Sequence, residues 1–276
     1  MPFYLGPLGA LRELPSPSPD KPPEASATRY GAVHRSLTGR PTIDRVAVRR
    51  TWVLSWPHLD ADTAAFLDAL HLGLVDGPLW LIDPQRPNRL PVQAAATGTG
   101  TRSPQGFTAS SGTLRWVPLS SSVPLAGGLR WDATSQGGQL GADTEVPVLP
   151  GEALTASAYV SSGVSVRLVL TAHSASGAQL GAAESAPTTP GPTMRRVTVT
   201  ALPPAGAASV RLALLLAPGG PGGAVSTQAW QIETARPADA DVWTPGGGTA
   251  VVAVESVTTA YPLPGSYGTT VTLWEV

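Results

Sequence analysis

The 276-residue chain contains no cysteine. That excludes disulfides, thiolate nucleophiles and cysteine-ligated zinc or iron, and it leaves the redox compartment undetermined. Lysine is nearly missing as well, with Lys21 alone against 17 arginines. The formal net charge is only −1, so no global field recruits nucleic acid or an anionic membrane. Neither nucleic-acid recognition nor membrane insertion is expected, since no apolar run approaches the roughly 20 residues that span a bilayer. The opening MPFYLGPLGALRELPSPSP lacks a basic n-region and a continuous apolar h-region, so it does not read as a secretory signal.

Chemistry is also sparse. The four histidines (His34, His58, His71, His173) include no pair at a metal-binding spacing of three or four residues. There is no G-x-S-x-G elbow and no phosphate-binding Walker loop. GTGTRS, at 98–103, begins like a dinucleotide fingerprint but lacks the third glycine and a surrounding strand–helix unit. The only asparagine, Asn88, is followed by Arg89 and Leu90, so no glycosylation sequon exists. The chain reads as a non-enzyme with no cofactor and no metal site.

What is abundant is turn chemistry: 30 glycines and 29 prolines suit many short strands joined by tight loops. Residues 15–26, PSPSPDKPPEAS, read as an extended Pro-rich arm, a natural strap across a neighbouring subunit. In DRVAVRRTWVLSWP, Val46, Val48, Trp52, Leu54 and Trp56 share one strand face, interrupted by Arg50. LDADTAAFLDALHLG then reads as a helix capped by Asp60 or Asp62, with Phe66, Leu67 and Leu70 apolar and Gly73 as the stop. GPLWLIDP is a buried strand, and DPQRPNR after it reads as a polar corner ordered by Pro84 and Pro87 rather than an anion site.

Residues 96–113 are small and polar and read as a linker. Beyond it a two-residue alternation recurs, in Leu154/Ala156/Ala158/Val160, Val164/Val166/Leu168/Leu170, Val197/Val199 and Val210/Leu212/Leu214/Leu216. Half-buried strands at that spacing indicate a β-sandwich or jelly roll, placed at 114–244. Trp230 shares its strand face with Ile232 and reads as core, whereas Trp116 and Trp131 fit core or rim. Two further strands, 249–258 and 268–275, are too few to form a domain, so they are expected to return to the first sheet. The expected fold is mainly β: one β domain with a single short helix (1–95 plus 245–276), interrupted by an inserted jelly-roll sandwich. With the aliphatic positions inward, Tyr159, Arg167, Arg196 and Arg211 face outward and are the glycan-binding candidates, an aromatic face among hydrogen-bonding groups.

The segments WVLSWPHLDADTAAFLDALHLGLVDGPLWLIDPQRPNRLPVQAA and PLPGSYGTTVTLWEV, flanking an inserted sandwich, resemble minor tail proteins of long-tailed actinobacterial phages, related to the distal tail protein family. The insertion, with PGEALTASAYVSS and QAWQIETARPADADVWTPGG, resembles carbohydrate-binding-module-like jelly rolls. The resemblance implies a virion structural protein of the tail tip. It would form a homo-oligomeric, commonly hexameric ring joining the tail tube protein to tip, hub or receptor-binding proteins, with host cell-wall polysaccharide as the insertion's ligand. Synthesis would be in the host cytoplasm. Many such modules carry an acid that helps hold calcium near the closing strand; this chain has Gln231 there. The alternative reading is a standalone cell-wall or glycan-binding lectin-like module.

Overall fold

The structure is a computed structural model that describes residues 2–276 apart from 32, 37, 44–46, 120–123, 134–136, 217–221 and 235–241. Val46 and part of the QAWQIETARPADADVWTPGG motif therefore lie outside the described residues. The chain forms two compact units, one built from 1–7, 11–81 and 250–276, the other from 8–10 and 82–249. In chain order the elements begin with β1 (Phe3–Gly6), β2 (Arg12–Leu14), β3 (Glu24–Tyr30), β4 (Val33–Arg35), β5 (Pro41–Ile43), β6 (Ala47–Leu59), α1 (Ala61–His71) and β7 (Leu79–Ile82). Next come α2 (Val92–Ala95), β8 (Phe107–Ala109), β9 (Thr113–Pro118), β10 (Gly127–Asp132), β11 (Gln139–Ala142) and β12 (Val146–Pro147). They continue with β13 (Leu154–Ser162), β14 (Val166–His173), β15 (Gln179–Glu184), β16 (Gly191–Ala201), β17 (Ser209–Leu216) and β18 (Ala224–Thr234). The chain closes with β19 (Thr249–Leu263) and β20 (Ser266–Glu275). The architecture is mainly β, in antiparallel sheets.

In the first unit a seven-stranded sheet runs β2-β1-β7-β19-β20-β6-β3. The two C-terminal strands thus join the sheet of the Trp52 strand, with Trp52 opposite Leu273 and Leu54 opposite Val271. Period-two alternation puts Trp52, Leu54, Trp56, Val271 and Leu273 into one core with Leu67 and Leu70 of α1. Val48 departs from the expected face: it is 56% exposed. At that end, among the described residues, β6 pairs with β3 alone, every residue of which is exposed, so no buried face among them meets Val48. Arg50 is buried instead, donating to both carboxylate oxygens of Glu275 and lying 4.7 Å over the Trp52 ring.

Asp60 is the cap of α1: its carboxylate accepts from the Thr63 N–H (2.7 Å) and the Thr63 hydroxyl (2.8 Å). Those bonds hold its pKa below the usual carboxylate value. Gly73, at φ +66°, ends the helix. The Pro-rich segment lies on its own chain, where the Pro15 carbonyl accepts from the Trp56 indole and Ser18 N–H donates to the Ser55 carbonyl. Its last residues enter β3, beside β6.

The second unit is a two-sheet sandwich. One sheet runs β16-β13-β18-β10-β9; the other runs β15-β14-β17-β11-β8, with β12 paired to β17. The alternating aliphatics of β13, β14, β16 and β17 all enter one core, as do Trp131 and Trp230. Trp131 is core rather than rim, fully buried with its indole N–H on the Ser111 carbonyl at 2.7 Å. Trp116 is half-buried, with the Arg102 guanidinium 5.8 Å over its ring. Within the stretch expected to be linker, Phe107 of β8 is buried edge-on against Trp230 at 5.1 Å. Three alternating residues were too few to show as a strand in the sequence.

The polar corner at 83–89 is an internal fastening of this unit. Asn88 is fully buried and uses its whole amide. Its nitrogen donates to the carbonyls of Trp230 and Thr244, and its oxygen accepts from the N–H groups of Leu90 and Ile232. Arg89 makes a two-pronged ion pair with Glu152 (2.7 and 2.5 Å) and also donates to Thr234.

Candidate functional site

Inward placement of Val210, Leu212 and Leu214 forces Arg211 and Ala213 of β17 outward, and the same alternation turns Thr171 and His173 of β14 outward. On β11, Leu140 and Ala142 enter the core, so Gln139 and Gly141 face out. Gly141 sits opposite Ala213 in the ladder. These two small residues lower the middle of the sheet while longer polar side chains stand around them. The result is an open groove of about 340 Å³ on the outer face of the six-stranded sheet. Thr108, Gln139 and Asp143 line one side, Thr171, His173 and Gln179 the other, and Arg211 reaches in from between. A second cleft of about 200 Å³, at the sandwich edge near Leu170, Leu180, Leu202 and Val210, is lined by aliphatic side chains and prolines. It offers little to orient a polar ligand.

The groove mixes donors and acceptors. Gln139 and Gln179 carry both, Thr108 and Thr171 supply hydroxyls, and Asp143 accepts. Arg211 is held by Glu145 at 2.5 Å. The Asp143 carboxylate has no ion-pair partner among the described residues. His173 Nδ1 and, on the strand beside it, Ser209 Oγ are shielded from solvent without a hydrogen-bond partner among the described residues. Among the described residues no Phe, Tyr or Trp lines the groove, so its chemistry is that of hydrogen bonding to several hydroxyls at once.

The sequence candidates do not converge. Tyr159 and Arg196 face each other across β13 and β16 in the five-stranded sheet. There Arg196 also donates to Ser157 Oγ at 3.0 Å. Arg167 and Arg211 belong to β14 and β17 in the six-stranded sheet. The outer faces of a sandwich point in opposite directions, so the set divides into two pairs that cannot touch one ligand. Arg167 is engaged with Glu184 at 2.7 Å, and only Arg211 lines the groove. Gln139 and Asp143 escaped sequence reasoning because β11 is four residues long and contains a glycine that reads as turn. Thr171 was recognisable as an outward position, but nothing local joined it to them.

As for metals, no cluster of three or more His, Asp or Glu side chains that could hold an ion occurs among the described residues. Gln231 is buried, with its side-chain oxygen accepting from the Thr244 N–H at 3.4 Å. No helix among the described residues is long and apolar enough to cross a membrane.

No protein-family model matches the chain, and no curated protein matches it significantly. Among solved structures, it is similar to the enzymatically active domain of tailspike protein 4 from bacteriophage CBA120, at 9% identity and TM-score 0.45. That match covers 54% of this chain but only 21% of the tailspike structure. The CBM22-1 xylan-binding domain of Paenibacillus barcinonensis Xyn10C matches at 15% identity and TM-score 0.38, covering 51% of this chain and 92% of the domain. TmCBM61, solved with β-1,4-galactotriose, matches at 14% identity and TM-score 0.38, covering 54% and 99%.

Proposed function

We propose that the second unit binds glycan in the groove over Gly141 and Ala213, without catalysing a reaction, and that the first unit belongs to a phage tail tip. The observation that carries the glycan half is the groove itself, small-floored and ringed by amides, hydroxyls and a carboxylate outside any ion pair among the described residues. A hydroxyl-rich chain laid along such a floor exchanges water for matched donors and acceptors. Without an aromatic platform a single contact is weak, on the order of millimolar, but linked copies gain about 10²–10⁴ in avidity.

In this reading the virion tail tip supplies the linked copies: a closed, hexameric ring between the tail tube protein and the hub or receptor-binding proteins, presented to host cell-wall polysaccharide. Supporting the ring, β3 is an edge strand of seven exposed residues with no proline, a form that invites pairing with another chain.

Gly141→Phe tests the glycan half. A Cβ at Gly141 meets nothing closer than 3.9 Å, so the ring fills the groove without touching the core. Binding to host wall polysaccharide should be lost with the unfolding transition unchanged; retained binding sinks the assignment. Mass measurement of the purified protein tests the ring, and a strict monomer that still binds glycan would favour the standalone lectin instead.

A further inference from the structure

Resting on the glycan-binding reading of the groove, we propose that it selects uncharged and amino-bearing saccharides and rejects anionic ones. The charges around the floor carry this. Arg211, the one Arg or Lys among the described residues lining the groove, has its guanidinium on Glu145 at 2.5 Å, so it brings no net positive charge. Farther along the same sheet, Arg167 is likewise neutralised by Glu184. That leaves the Asp143 carboxylate, exposed and outside any ion pair among the described residues. Counted over its Arg, Asp and Glu side chains, the groove is therefore negative by one charge. The remaining polar groups, Gln139, Gln179, Thr108 and Thr171, are uncharged and suited to hydroxyls.

Asp143 follows β11 two positions after Gly141, so its carboxylate stands roughly 7 Å from the floor. A uronate or phosphate seated there would meet like-charge repulsion that weakens binding on the order of tenfold at low salt, less as salt rises. An ammonium substituent would gain by a similar factor. Anionic ligands could recover only if Arg211 left Glu145.

The test uses the full chain and matched oligosaccharides: a neutral galactan or mixed-linked glucan, polygalacturonate, and chitosan oligomers. At low salt the neutral and amino forms should bind, with polygalacturonate about tenfold weaker. Asp143→Asn should bring polygalacturonate to within about threefold of the neutral polymer. Glu145→Gln, which frees Arg211, should also strengthen polygalacturonate binding. Equal or tighter uronate binding by the wild type overturns the proposal, as does a ratio unmoved by both variants. If none of the polymers binds, and Gly141→Phe changes nothing, the glycan reading has failed and the selectivity falls with it. That result differs from binding with the wrong preference.

Discussion

Replacing Arg89 with alanine would leave Glu152 as a nearly buried carboxylate with the Thr234 hydroxyl as its one remaining hydrogen-bond partner among the described residues. In the native chain Arg89 is 5% exposed and Glu152 12%, and the guanidinium meets both carboxylate oxygens while also donating to Thr234. Most of the desolvation is therefore already incurred, and the pairing offsets it. Breaking a buried pair from one side costs about 3–5 kcal/mol, because the surviving charge cannot recover water. For a unit of this size, such a loss lowers the melting temperature by roughly 6–20 °C, at about 2–4 °C per kcal/mol. Replacing both partners by methionine should cost much less, since no charge is then stranded. Urea unfolding of the single and double variants, followed by near-UV signals from Trp131 and Trp230, measures both. A single variant within about 1 kcal/mol of wild type would refute the argument, as would a double variant worse than the single.

Three smaller perturbations follow from the same geometry. Asn88→Ala strands the buried N–H groups of Leu90 and Ile232 and two carbonyls, so it should cost about 2–4 kcal/mol in urea unfolding, with faster amide exchange at Ile232. Asp60→Ala should cost about 1 kcal/mol at neutral pH. Since the Asp60 pKa is lowered in the fold, that gap should be full above the ordinary carboxylate range and close as pH falls through the depressed value, read by acid titration of stability. Gly98→Ala drives a Cβ into the Ser103 carbonyl oxygen at a φ of +72°, whereas Gly177→Ala, at φ +82°, meets nothing within 4 Å. Thermal unfolding should show a much larger loss for the first; equal losses would mean the loop at 98–103 yields freely.

Local pattern carried much of the fold. Leu154, Ala156, Ala158 and Val160 alternate because one side of a strand is dry, and all four are fully buried. Asp60 and Gly73 mark the ends of α1 because an unpaired N–H needs an acceptor and a left-handed turn favours glycine. The C-terminal strands were assignable to the Trp52 sheet because they had no core of their own.

Alternation determines which residues of a strand face outward, and nothing more distant than the next residue enters that rule. It cannot determine which sheet the strand joins. Consecutive strands β13 and β14 lie in different sheets, so Tyr159 and Arg167 turned outward as expected and yet away from each other. Only the tertiary ladder set Gly141 beside Ala213 and closed Arg89 on Glu152 across 63 residues. Those contacts are long-range because a sandwich core is completed by strands distant in the chain, and the groove exists only where they meet.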